Sequence, residues 1–254
     1  MELAIRGRLA IVTGASSGLG RACALALAAE GVRLAVGARR TELLASLVDE
    51  ARAAGSPEAV AYKLDLADPA SIDAMLAAVR EDQGDASILI ANSGPPKVGA
   101  VANLSLADWD AAYGPTMRSM LQLVLAVVPA MRENKWGRII NLSSSSIKTP
   151  MANLALSNAY RAGLAGALKT LSREVAADGV TINVIATGKI ETARARAVYA
   201  DPAAWAKQQG EIPFGRFGTP EEFAPLVAFL CGEGARYISG TTISVDGGLA
   251  PGLL

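Results

Sequence analysis

The run Thr13-Gly14-Ala15-Ser16-Ser17-Gly18-Leu19-Gly20 lies between an apolar stretch ending at Val12 and a helical pattern that begins at Arg21. Strand, glycine loop and helix in that order predict a phosphate cradle. Small residues let the backbone approach a pyrophosphate, and the free N–H groups at the helix start complement its charge. Side-chain bulk at Gly14, Gly18 or Gly20 would obstruct that approach, and Ser16, Ser17 and Leu19 complete the contacting surface. In such folds a carboxylate about 20 residues further on holds ribose hydroxyls, whereas arginine accommodates a 2′-phosphate. Here the second predicted strand runs into Gly37-Ala38-Arg39-Arg40. Two planar, permanently charged guanidiniums favour NADP(H) over NAD(H).

The chain has no histidine. Serine–histidine hydrolysis and histidine-assisted hydride transfer are therefore excluded, and any proton must come from tyrosine, lysine, a carboxylate or water. Charges balance at 24 basic and 24 acidic residues with no basic run, which argues against nucleic acid as a partner. Cys23 and Cys231 follow no ligand spacing, so no metal site is expected, and two thiols suit a reducing, cytoplasmic setting. Charges at Glu2, Arg6 and Arg8 speak against a secretory signal. The longest apolar candidate, near 120–131, is broken by Gln122 and Pro129, well short of the roughly 20 residues a membrane helix needs.

Positioning these groups requires a sheet. Apolar runs at 9–13, 33–37, 59–63, 87–91, 138–142, 181–185 and 242–245 read as buried parallel strands. Helical stripes separate them: Leu43, Leu44, Leu47, Val48 and Ala51; Ile72, Met75, Leu76 and Val79; Phe223, Leu226, Val227 and Leu230. The alternation predicts a single α/β domain over 1–254, a Rossmann-type doubly wound parallel sheet of about seven strands with helices on both faces. Asp65 after the third strand and Asn92-Ser93-Gly94 after the fourth should reach the cofactor side of the sheet. Residues 187–219, with scattered Gly and Pro, read as a mobile excursion with a helical piece that covers substrate.

With these pieces in place, the chain resembles the short-chain dehydrogenase/reductase family over essentially its whole length. Thr13 to Gly20 resembles the family's cofactor loop, Asp65-Leu66 its adenine-side pair and Asn92-Ser93-Gly94 its structural Asn-Ala-Gly motif. Asn141-Leu142-Ser143-Ser144 resembles the strand that ends in its catalytic serine. Thr187-Gly188-Lys189-Ile190-Glu191-Thr192 is similar to the family's Pro-Gly turn, with Thr187 in place of Pro, and implies nicotinamide contacts from Gly188, Ile190 and Thr192. Gly218-Thr219-Pro220-Glu221-Glu222 and Val245-Asp246-Gly247-Gly248 resemble reductases of 3-oxoacyl thioesters.

The catalytic helix departs from that pattern. The family's Tyr-x-x-x-Lys falls on Ser157 and Arg161, and its assisting asparagine on Thr116. Arg161 keeps a charge that can hold ribose and favour an oxyanion, but it donates no proton at neutral pH. Three proton sources stay open: Tyr160 from a shifted position, Lys148 or Lys189, and bound water. The resemblance implies an NADP(H)-dependent carbonyl reductase or alcohol dehydrogenase acting through Ser144, with 3-oxoacyl thioesters as default substrate. A non-catalytic dinucleotide-binding sensor or assembly protein is the competing expectation. A homotetramer is expected, because the helices near 106–133 and 150–177 are apolar on more than one face.

Overall fold

Parallel strands that carry helices on both faces must be apolar along their whole length, and the central strands meet that requirement. Leu9–Thr13 (β1) and Gly137–Leu142 (β5) are buried throughout. The computed structural model describes residues 2–252, so Met1, Leu253 and Leu254 of the predicted domain lie outside the described residues. It joins β1 and β5 with Arg33–Ala38 (β2), Ala59–Lys63 (β3), Ile88–Asn92 (β4), Val180–Thr187 (β6) and Thr242–Val245 (β7). The seven strands form one sheet of order β3-β2-β1-β4-β5-β6-β7, and every neighbouring pair is parallel.

All seven predicted strands are present: β1, β3 and β7 have the predicted ends, and the other four are shifted. β4 is displaced one residue, to 88–92, because Asn92 pairs with Leu142. β6 extends through Thr187, which pairs with Val245, and β2 through Ala38, which pairs with Lys63.

The helices are Gly18–Ala29 (α1), Thr41–Ala54 (α2), Pro69–Gln83 (α3), Leu106–Tyr113 (α4), Ser119–Glu133 (α5), Ala155–Val175 (α6), Ala193–Val198 (α7), Pro202–Gly210 (α8) and Pro220–Cys231 (α9). Alternate strand residues feed two cores. Ala10, Val12, Leu34 and Val36 pack with Leu27 of α1, Leu44 of α2 and Phe223 of α9. Leu9, Ile11, Ala35 and Leu89 pack on the other face with Ile72 of α3, Leu123 of α5 and Leu164 of α6.

Two segments depart from expectation. Between α4 and α5 the chain widens into a π-helical turn, Gly114–Arg118, which accommodates Pro115 within an otherwise continuous helical run. The 187–219 excursion holds two helices rather than one, each capped by a side chain: Thr192 accepts from the Ala195 N–H and Asp201 from the Ala204 N–H. It also has its own aromatic core. Trp205 stacks on Phe217 at 3.9 Å between ring centroids, and Arg196 lies over the Trp205 ring.

Candidate active site

β1 neighbours both β2 and β4, so the connections leaving its carboxyl end and that of β4 diverge and open a crevice between them. Two loops meet at its floor. The Thr13 hydroxyl donates to the Asn92 carbonyl at 2.8 Å and accepts from the Asn92 N–H at 2.8 Å, while Asn92 Nδ2 donates to the Gly14 carbonyl at 3.4 Å. The glycines are fixed by separate constraints. Gly14 and Gly18 have φ of +62° and +57°, a region that L side chains disfavour. A Cβ on Gly20 would lie 2.4 Å from the Gly14 carbonyl oxygen, so the third glycine lets α1 begin against the loop itself.

Ser17 sits at the N-cap of α1, yet its side chain caps nothing, and no acidic residue follows in the first turn. The orphan N–H groups at this helix start remain available to an anion. Arg40 completes the arrangement by donating to Ser16 Oγ at 3.2 Å and Ser17 Oγ at 3.3 Å. The crevice has a volume of about 590 Å³ and brings together most of the expected cofactor residues, Gly14, Ser16, Ser17, Gly18, Leu19, Arg39, Arg40, Asp65, Leu66, Asn92, Ser93, Gly94 and Thr192, together with Thr116, expected at the reaction end. Of the expected cofactor residues, Gly20, Arg161, Gly188 and Ile190 do not line it, and neither do Ser144, Ser157 and Tyr160. Gly188 is pinned against the end of β7, where a Cβ would approach Asp246 Cα to 2.5 Å, and Ile190 is buried beside Phe223 and Val245. Sequence reasoning missed Arg194, which enters the crevice wall from the first turn of α7. Its signal was its place two residues beyond Thr192.

The side chains expected at the reaction end come from β5, the turn after it and α6. Ser157 and Arg161, one turn apart on α6, are both buried. Arg161 donates to the Leu142 carbonyl at 3.2 Å, the Gly94 carbonyl at 3.3 Å, and the carbonyl and hydroxyl of Ser93 at 3.5 Å. Among the described residues it forms no ion pair. Burial pushes its pKa down to about 10, since a guanidinium without a counter-charge is disfavoured in a low-dielectric interior. Ser157 Oγ lies 3.3 Å from Ser146 Oγ, and the Ser146 N–H donates to Ser144 Oγ at 3.2 Å. Ser146 thus links the two serines identified from sequence. Its position within Ser143 to Ser146 gave no sign of this, because the short turn Ser145–Ile147 decides which hydroxyl faces α6. Thr116 is 1% exposed on the π-helical turn.

The expected proton sources are directed elsewhere. The Tyr160 hydroxyl donates to the Trp109 carbonyl at 2.8 Å, and its ring packs on Trp109 and Tyr113. This corrects the expectation that Tyr160 reaches the pocket: the 100° step of the helix carries it onto α4. Lys189 Nζ donates to the Gln208 carbonyl and pairs with Glu211 of the excursion. Lys148 opens onto a different cleft, shared with Lys169 and the β6–β7 edge.

Comparison with known proteins places this geometry. A family model described as "Enoyl-(Acyl carrier protein) reductase" matches residues 14–250. The 3-oxoacyl-[acyl-carrier-protein] reductase FabG of Escherichia coli is 37% identical over 245 residues, 96% of this chain and 97% of that protein. Among solved structures, L-sorbose reductase from Gluconobacter frateurii, complexed with NADPH and L-sorbose, superposes with a TM-score of 0.94 at 30% identity over all of both chains. An actinorhodin polyketide ketoreductase with NADPH gives 0.90 at 34% identity, covering 96% of this chain and 97% of that one. With the fold, the glycine loop and the family model in agreement, the chain belongs to the short-chain dehydrogenase/reductase family.

Proposed function

We propose that this protein is an NADP(H)-dependent oxidoreductase that reduces a carbonyl or oxidises the corresponding alcohol, with 3-oxoacyl thioesters as the first substrate class to test. The observation that carries the reading is Arg40 donating to Ser16 and Ser17 beside an uncapped helix start: the guanidinium is a ready partner for the extra phosphate of NADP(H), and the helix start for its pyrophosphate. The residues fit the cofactor. Gly14, Ser16 to Leu19, Arg39 and Arg40 would hold its phosphates; Asp65, Leu66 and Asn92 to Gly94 its adenosine side; Thr192 and Arg194 the side nearer the nicotinamide. When bound, the cofactor supplies a hydride donor or acceptor.

The chain's own residues orient and polarise the substrate. Ser144 Oγ accepts a backbone N–H, which leaves its own proton free to donate to a substrate oxygen. Arg161 projects a fixed charge from behind the Ser93 and Gly94 backbone and favours negative charge at that oxygen. Ser157 and Ser146 hold the turn that presents Ser144. Thr116, at the crevice wall, takes the place the resemblance gives to an assisting asparagine. The excursion at 187–219 covers the substrate, anchored at Lys189 and Glu211. We place the protein in the cytoplasm, where its two buried thiols stay reduced. None of its helices is long and apolar enough to cross a membrane among the described residues. A homotetramer is supported by the outward apolar side chains Leu106, Tyr113 and Leu125 on α4 and α5.

The displaced Tyr160 favours a second reading, a dinucleotide-binding sensor without turnover. Arg161 weighs against it, because a buried, unpaired charge beside Ser93 and Gly94 is costly to keep without a role. Calorimetric titration with NADPH and NADH, followed by NADPH oxidation against a carbonyl panel, separates the two. Binding with turnover supports the oxidoreductase; tight NADPH binding with no turnover on any carbonyl compound would establish the sensor.

A further inference from the structure

Two lysines near the reaction end take no part in it. Lys148 follows the short turn Ser145–Ile147, and Lys169 lies about two turns beyond Arg161 on α6. Both face one cleft of about 320 Å³ between α6 and the β6–β7 edge of the sheet. Neither forms an ion pair among the described residues, and no acidic side chain lines the cleft. Lys169 is more than a solvated surface charge. Its Nζ lies over Gly240, where a Cβ would meet it at 2.9 Å and would meet Ser172 Oγ at 2.5 Å. With no side chain and a φ of +69°, Gly240 supplies the space that lets this ammonium turn into the cleft. Two like charges brought to one small volume repel each other, and an anion between them removes that cost. The floor has the opposite character. Leu168 of α6 with Ile182 and Val184 of β6 belong to the sheet-facing core, and the cleft lays their flanks open. Thr241 and Thr242 add hydroxyls at its β7 side.

We propose that this cleft binds a small carboxylate with a short apolar chain, the head group between Lys148 and Lys169 and the chain along Leu168, Ile182 and Val184. The volume stands at the lower end for small-molecule sites, which suits a chain of about six to eight carbons rather than a nucleotide. The chain displaces water from the floor, and the carboxylate gains charge-assisted hydrogen bonds from both lysines. A bare inorganic anion forgoes the first gain and an uncharged alcohol the second. The site is separate from the cofactor crevice, with which it shares no lining residue. Two elements nevertheless join them. The Lys148 N–H donates to the Ser145 carbonyl at 2.9 Å in the turn headed by Ser144, and α6 carries Arg161 as well as Lys169. An occupant therefore braces from behind the turn that presents Ser144, whichever reaction the crevice performs.

The test is calorimetric titration of octanoate, octan-1-ol and acetate into the protein, with and without NADP⁺. Octanoate is expected to bind at least about tenfold more tightly than either of the others, with or without the nucleotide. Lys169→Gln and Lys148→Gln should each weaken octanoate roughly tenfold and leave octan-1-ol unchanged, and Lys169→Arg should recover most of the loss. Thermal melts check that the variants are folded. Hydrogen exchange locates the ligand: octanoate should protect 145–149 and 238–242, and leave 14–20 as it was. Acetate or octan-1-ol binding as tightly as octanoate would overturn the inference. So would octanoate binding that both glutamine variants leave intact, or protection confined to 14–20. Absence of octanoate binding overturns it too, and a changed elution volume for Lys169→Gln would then give the cleft to an acidic side chain of a second copy. NADP⁺ affinity, read in the same titrations, tests the cofactor reading separately.

Discussion

Replacing Arg40 by alanine isolates the 2′-phosphate contribution to cofactor choice. The guanidinium is exposed and held by two hydroxyls, at 3.2 and 3.3 Å, so it is pre-aimed at the crevice without being desolvated. A hydrogen bond to a charged group contributes about 1.5–3 kcal/mol, and exposure puts Arg40 at the lower end, which corresponds to roughly a 10- to 30-fold loss of NADPH affinity. NADH lacks the phosphate and should lose little, because Gly14, Gly18 and the α1 start that serve the pyrophosphate are untouched. Calorimetric titration of both nucleotides into wild type and Arg40→Ala measures the two ratios. The NADPH loss should shrink at high salt, as expected for an exposed charge contact. Equal weakening of NADPH and NADH would refute the reasoning, since Arg40 would then support the loop through Ser16 and Ser17 rather than read the phosphate.

Gly20→Ala should weaken NADPH and NADH alike and cost roughly 1–3 kcal/mol of stability, because its Cβ would press to 2.4 Å from the Gly14 carbonyl; Gly210→Ala, with nothing within 4 Å, is the control in thermal melts. Tyr160→Phe should leave kcat unchanged and lower stability by about 1 kcal/mol, through loss of the bond to the Trp109 carbonyl; a tenfold fall in kcat at unchanged stability would return Tyr160 to the reaction. Arg161 is charged below its folded pKa of about 10, so its help to an oxyanion is present below that pH and lost above it. A pH profile of kcat/KM should therefore fall through about pH 10 in wild type, and this limb should be missing in Arg161→Met.

The sheet was legible because parallel strands buried on both faces leave uninterrupted apolar runs, as at Leu9–Thr13. Strand ends were less so, since they depend on ladder partners distant in sequence, such as Thr187 against Val245. The glycine loop was readable, though the constraint on Gly20 is contact with the loop itself rather than with a ligand. The second helix of the excursion did leave a trace, Asp201-Pro202 at its start. The π-helical turn left none, because Pro115 looks like a break in a regular helix. Spacing alone also placed Tyr160 near the pocket; only packing on Trp109 and Tyr113 shows which way it faces.

That packing explains why Tyr160 cannot be recruited by a small adjustment of α6. Ser157, Arg161, Leu164 and Leu168 share one buried stripe of the helix, while Tyr160 sits about 60° round the axis by the 100° step. Turning the helix enough to bring Tyr160 inward would draw Arg161 off Leu142, Ser93 and Gly94, and lift Leu164 and Leu168 out of the sheet-facing core. Exposing the two leucines alone costs roughly 1.5–3 kcal/mol each, before the stranded carbonyls and the Trp109 bond are counted. The register of α6 is therefore locked with a serine and an arginine facing the site. The crevice beside α1 rests on backbone shape, through the positive φ of Gly14 and Gly18 and the contact of Gly20 with the loop. The proposed reaction end rests on a few side chains from β5, α6 and the turn between them, and here they present hydrogen-bond donors and a buried positive charge in place of an acid.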